Sequence, residues 1–207
     1  MVVYKLYYFR SQGRAEAIRL AFKLAGVDYQ EVTIQHSDWS ERKQEFPTGR
    51  LPVLEVDGKL IGESKTVLRY VSREFGFHGN TALESAYVDQ AIDMAEDIWV
   101  PVNGLITGTR EEKMAKIKRY LVEDVSKVFA NLERLLSQEY AGDFFVGNSI
   151  TAADLFVFTA TDLVRNLSQK TMDISDNFPK LKAWKARVAN NPKIAAWLEV
   201  RPPEASV

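Results

Sequence analysis

The spacing of hydrophobic positions changes along the chain. Residues 2–9 are dominated by β-branched and aromatic side chains, which predicts a buried strand. After Gly13, the apolar residues Ala17, Ile18, Ala21, Phe22, Leu24 and Ala25 recur at helical spacing, and Gly26 is placed to cap the helix end. Tyr29 to Ile34 alternates as a second strand, and Ser37-Asp38-Trp39-Ser40 opens a short helix reaching Phe46. Residues 52–56 and 59–61 flank Asp57-Gly58, whose tolerance of positive φ predicts a type I′ hairpin. Ser64 caps a helix carrying Val67, Leu68, Tyr70 and Val71 that runs to Phe75-Gly76.

From Thr81 onward the strand pattern is absent, and helices are predicted over 81–107, 111–139, 151–168, 178–189 and 191–199. The reading is α/β plus all-α, with a βαβ–ββα domain over 1–77, a linker at 76–80 and an all-helical domain over 81–207. Thr151 and Asp154 form a capping-box pattern, with Ile150 and Leu155 at the staple positions, a device for starting a helix and not a site.

Composition narrows the chemistry. Among 207 residues there is no cysteine, so disulfides, thiolate nucleophiles and zinc-cysteine sites are excluded and any thiol must be borrowed. Two histidines, His36 and His78, supply a metal site or a Ser-His-Asp triad poorly and read as solvated or loop residues. The 27 basic and 28 acidic residues form no long like-charge run, which sets aside nucleic acid and anionic membranes as partners. No apolar stretch approaches the roughly 20 residues of a membrane span, and the opening lacks the layout of a signal peptide, so a cytoplasmic protein is expected.

Several residues could carry chemistry on position alone. Tyr8 lies at the carboxyl end of the first strand, where α/β folds gather ligands, although pattern alone favours a core aromatic like Tyr4 or Tyr7. Trp39 and Lys43, spaced i, i+4, can present an indole N–H and an ammonium to one carboxylate; the alternatives are a tryptophan packed on the sheet and a solvated lysine. Ser64 combines a hydroxyl with free amides and the positive end of a helix dipole, or simply caps that helix. Asp89, Asp93, Glu96 and Asp97 fall near one helix face, where like charges call for a cation or for solvent.

The run Tyr4-Lys5-Leu6-Tyr7-Tyr8-Phe9, then Gly13-Arg14-Ala15-Glu16, Asp38-Trp39, Gly49-Arg50-Leu51-Pro52, Glu63-Ser64 and residues 147–154, resembles the sigma-class cytosolic glutathione transferases across the whole chain. The resemblance takes in invertebrate members and the glutathione-dependent prostaglandin D synthases. It implies a thioredoxin-like βαβ–ββα domain followed by a helical-bundle domain that contributes the electrophile pocket and a homodimer interface. Glutathione is the implied co-substrate, no metal is required, and Tyr8 is the implied catalytic residue, its hydroxyl stabilising the glutathione thiolate.

The same resemblance implies that Arg14 supports Tyr8, that Trp39 and Lys43 hold the glycine carboxylate, and that Gly49, Arg50 and Leu51 belong to the glutathione site. Leu51 there offers its backbone before a cis proline. Ser64 meets the γ-glutamyl carboxylate, Glu63 the ammonium, and Asp97 reaches that ammonium across the dimer interface. The sequence departs from the family at Gln12, where an arginine is common, at Glu63, where sigma enzymes carry Gln, and at Gly104, where prostaglandin D synthases carry tryptophan. A transferase acting on hydrophobic electrophiles, with peroxidase activity toward organic hydroperoxides, therefore ranks above a prostaglandin isomerase or a crystallin-like ligand carrier.

Overall fold

The computed structural model describes residues 2–169 and 177–203. The chain divides into two compact units, one holding the chain up to Gly76 with a segment that starts at Asn191, the other running from Phe77 to Asn190. In the first unit, β1 (Tyr4–Tyr8), β2 (Gln30–Thr33), β3 (Val53–Val56) and β4 (Lys59–Ile61) form one mixed sheet in the order β2-β1-β3-β4. β1 and β2 are parallel, with Tyr8 beside Thr33, because α1 (Glu16–Ala25) makes the crossover between them. β3 is antiparallel to β1 and β4 antiparallel to β3, and the turn between them has φ of 47° at Asp57 and 81° at Gly58, as the Asp-Gly pair predicts.

Both faces of β1 are packed, which explains why Lys5 alone interrupts its run of aromatic and aliphatic residues. On one face Tyr4 packs 5.3 Å from the ring of Phe22 on α1, and Leu6, Ile18 and Leu68 are fully buried. On the other, Tyr7 and Phe9 pack with Ile34, Phe46, Val53, Trp39 and Leu51. α2 is shorter than predicted: Trp39–Arg42 is helical, Lys43–Glu45 tightens to a 3₁₀ turn, and α3 follows the sheet over Ser64–Glu74.

α10 (Pro192–Val200), which the sequence reading places in the helical domain, groups by its contacts with the first unit. It packs on α1, with Trp197 Nε1 donating to Glu16 at 3.0 Å and Lys193 Nζ to the Leu24 carbonyl at 2.7 Å. Its helical period was legible, but the identity of its packing partner is a property of the fold. Residues 204–207, assigned from sequence to the second domain, lie outside the described residues.

The second unit is helical: α4 (Ala82–Trp99), α5 (Val102–Leu105), α6 (Arg110–Tyr120), α7 (Ser126–Leu135), α8 (Ala152–Leu167) and α9 (Pro179–Ala189). The predicted helix over 81–107 is two, because Pro101 has no N–H to continue the ladder. The one over 111–139 is interrupted by a π-helical stretch, Leu121–Val125, between α6 and α7. α8 is buried on nearly every side, from Ala152 through Asp162, and so forms the centre of this unit. Its capping box forms, and Asp154, fully buried, accepts from Thr151 N at 2.7 Å, Thr151 Oγ1 at 2.8 Å, Phe145 N at 3.1 Å and Trp184 Nε1 at 2.7 Å. Burial pushes this carboxyl's pKa up, and the donors pull it back.

Candidate active site

The sheet topology brings most of the sequence candidates to one edge. Tyr8 ends β1 and Thr33, which precedes α2, ends β2; Val53, antiparallel to Tyr7, begins β3, so Leu51 and Pro52 enter at the same edge. Ile61, paired with Leu54, ends β4 there and leads directly into Glu63 and Ser64. Tyr8, Arg14, Trp39, Lys43, Gly49, Arg50, Leu51, Glu63 and Ser64 therefore lie on elements that converge at the carboxyl end of β1.

Tyr8 is almost fully buried. Its hydroxyl accepts from the backbone N–H of Arg14 at 3.1 Å, which leaves the hydroxyl hydrogen for a ligand. Burial raises its pKa, opposed by the Arg14 amide and by the charges of Arg19 and Arg14, so the hydroxyl stays protonated at neutral pH and acts as a donor. Gly13 makes this approach possible: its φ is 45°, and a Cβ there would sit 2.4 Å from the Tyr8 hydroxyl.

Trp39 is half-buried, its ring edge-on to Phe9 at 5.7 Å, and Lys43 is exposed. Because α2 ends at Arg42, the pair does not share one regular α-helix as the i, i+4 spacing predicted. Leu51–Pro52 is a cis peptide, as the family pattern implied. Gly49, two residues before Leu51, has φ of 59°, and Arg50 is exposed.

Ser64 does not cap α3. The cap position is Glu63, no side chain caps this end, and the first amide returned to it is Val67 N on Glu63 O at 2.9 Å, so the amides of Ser64, Lys65 and Thr66 precede the helical ladder. Glu63 is held at φ 67°, a conformation a non-glycine residue adopts at a cost of order 1–3 kcal/mol, and such strain clusters at ligand sites.

The acidic face of α4 differs from its sequence reading. Asp89 lies 3.3 Å from His78 Nε2, and His78 is buried, not solvated. Asp93 and Asp97 are exposed and Glu96 is half-buried. Among the described residues no group of three or more His, Asp or Glu is gathered to hold an ion, and no helix is long and apolar enough to cross a membrane.

Two residues that matter to the site were not among the sequence candidates. Gly13 entered only as part of a motif, though a glycine in the short connection between a strand and a helix is where backbone can take positive φ and approach closely. Arg19 falls within the apolar period of α1, between Ile18 and Leu20, and is fully buried; a charge inside a hydrophobic stripe was the available signal.

The profile of the glutathione S-transferase N-terminal domain matches residues 2–73, and that of the C-terminal domain residues 96–201. The chain is similar to S-crystallin 4 of Enteroctopus dofleini, 36% identical over 97% of this chain and 98% of that one. It is also similar to hematopoietic prostaglandin D synthase of Gallus gallus, at 34% over 98% of each. The solved structure of NaGST-2 superposes with a TM-score of 0.88, at 35% identity over 98% of each chain. With a thioredoxin-like domain, a helical domain and both domain profiles in order, the chain belongs to the glutathione S-transferase family.

Proposed function

We propose that this protein is a glutathione transferase that conjugates the glutathione thiolate to hydrophobic electrophiles, with Tyr8 as the catalytic residue. The observation that carries the reading is the Tyr8 hydroxyl: buried, kept protonated, accepting from Arg14 N and so left to donate. A free thiol ionises near pH ~8.5, so a donor that favours the sulfur anion raises the fraction of nucleophile at neutral pH. The thiol proton leaves to solvent, sulfur bonds to the electrophilic carbon, and the leaving group departs with its electron pair. The same thiolate can attack an organic hydroperoxide, giving an alcohol, and a second glutathione then completes a disulfide with loss of water.

In this reading Arg14 supports Tyr8, Trp39 and Lys43 take the glycine carboxylate, and Gly49, Arg50 and Leu51 line the peptide. The uncapped start of α3 with Ser64 takes the γ-glutamyl carboxylate, since amides and dipole there both favour an anion. Glu63 receives the ammonium together with Asp97 of the partner subunit, in a cytoplasmic homodimer that uses no metal. A steady-state screen with glutathione against chlorodinitrobenzene, cumene hydroperoxide and a prostaglandin endoperoxide tests the reading. Turnover of the first two supports it. Isomerisation of the endoperoxide alone favours the activity named in the prostaglandin D synthase relative. Tight glutathione binding without turnover favours a carrier, the reading to which the 36% identity with an S-crystallin lends weight.

A further inference from the structure

Arg19 occupies a place that helix packing does not require. It is fully buried, and one guanidinium reaches four partners. Nε and Nη2 hold the Glu31 carboxylate on β2, at 3.1 and 2.6 Å. Nη1 donates to Glu16 at 3.2 Å, and to the backbone carbonyls of Ser11 at 2.8 Å and Gln12 at 3.2 Å. Cζ lies 5.6 Å from the centroid of the Tyr8 ring.

The two carbonyls are the informative contacts. An arginine that served only to join α1 to β2 would need Glu31 alone. Ser11 and Gln12 immediately precede Gly13 and Arg14, the two residues whose backbone defines where the Tyr8 hydroxyl sits. The loop is also held by the segment after α10, where Gln12 Nε2 donates to the Pro202 carbonyl at 2.8 Å and Gln12 N to that of Pro203 at 3.3 Å. A loop tied by both sets of contacts presents the Arg14 amide in one place.

We propose that Arg19 is a positioning residue for thiol activation: it fixes the 11–13 loop and sets its own charge beside the Tyr8 ring, so that the hydroxyl donates to sulfur in one geometry. The inference rests on the glutathione transferase reading above. It assigns the buried ion-pair group a role in the chemistry and not in folding alone. The charged and titratable groups around it are Glu16 and Lys23 on α1, Tyr8 on β1, Tyr29 and Glu31 at β2, Arg14 after the loop and Arg201 after α10, 3.6 Å from Glu16.

The test is the pKa of glutathione bound to the full-length protein, read from thiolate absorbance near 240 nm as pH is varied. Arg19→Lys keeps a cation but loses the planar fork that reaches Glu31 and the carbonyls together. The bound thiol pKa should rise by about half a unit to one unit, with glutathione affinity changed less than about threefold. The loss in kcat/KM should be larger at pH 6.5 than at pH 8.5. Glu31→Gln, at a partly exposed carboxylate, is the second variant and decides the matter if Arg19→Lys does not fold. Removing a negative charge would by Coulomb's law lower the thiol pKa, whereas loosening Arg19 raises it, so the sign separates the two. A thiol pKa unmoved in folded Arg19→Lys, or unmoved or lowered in Glu31→Gln, overturns the proposal while the parent reading stands. A wild-type protein that shows no bound thiolate at any pH overturns both.

Discussion

At the scale of single residues, the site depends on how closely backbone approaches one hydroxyl. Tyr8→Phe keeps the ring contacts of Tyr8 and deletes the donor. The expected outcome is stability within ~1 kcal/mol of wild type and turnover reduced by one to three orders of magnitude, with glutathione affinity changed far less. Steady-state kinetics beside a thermal melt checks this, and turnover within twofold of wild type at neutral pH would remove Tyr8 from its role. Gly13→Ala attacks the same contact from the backbone side. Its Cβ would meet the Tyr8 hydroxyl at 2.4 Å and must adopt φ near 45°, so both must shift. Turnover should fall at least about tenfold, beyond what a stability cost of about 1–2 kcal/mol accounts for. A Gly13→Ala protein with full turnover would show that the hydroxyl is placed by something other than this approach.

At the scale of elements, the start of α8 shows how one side chain can organise a helix and its neighbours. Thr151→Ala should cost about 1 kcal/mol, since Asp154 keeps three of its donors. Asp154→Ala strands the donors of Thr151, Phe145 and Trp184 at once and should cost on the order of 3 kcal/mol or more. Neither should alter the rate of the folded fraction; a variant that melts like wild type yet loses activity would contradict the structural assignment. The sheet has a pH-sensitive counterpart. Glu55 on β3 accepts from Lys5 Nζ at 2.8 Å and Tyr7 Oη at 2.6 Å, and these bonds hold its carboxyl below the usual range. A depressed carboxyl stabilises the fold above its unfolded pKa of ~4.3 and ceases to do so as pH falls through the folded value. The melting-temperature difference between wild type and Glu55→Gln should thus be present at pH 7 and shrink below about pH 4; a difference constant with pH would rule out the ionised bond as its source.

At the scale of the whole molecule, the proposed homodimer makes a prediction no single chain can. Tyr8→Phe and Asp97→Asn chains, co-expressed with different tags, can be isolated as a heterodimer. If Asp97 of the partner subunit serves each site, both lesions fall in one site and the other is intact, so about half the wild-type activity returns. If Asp97 serves its own chain, the heterodimer shows only the mean of the two mutant homodimers. Asp97→Asn should itself be impaired at subsaturating glutathione, since a charge-assisted bond is worth about 1.5–3 kcal/mol. Activity no higher than that mean, or a protein monomeric at micromolar concentration, would end the shared-site reading.

Local signals carried a large share of this outcome. The period of the apolar positions decided the order of strands and helices, the Asp57-Gly58 hairpin and the start of α8, because each depends on residues within a few positions of one another. The convergence of Tyr8, Leu51 and Ser64 on one sheet edge followed once βαβ–ββα was read, since chain direction alone sets which strand ends meet. What the tertiary structure decided are the partners that lie far apart in sequence. Trp197 and Glu16 meet across 181 positions, and Trp184 finds Asp154 across 30. Helical period says which face of α10 is apolar but not what will cover it. Arg19 is the sharpest case: on the sequence it is a charge in a helix, and only the fold, by closing β2 and the 11–13 loop around it, supplies the acceptors that let a guanidinium stay buried beside Tyr8.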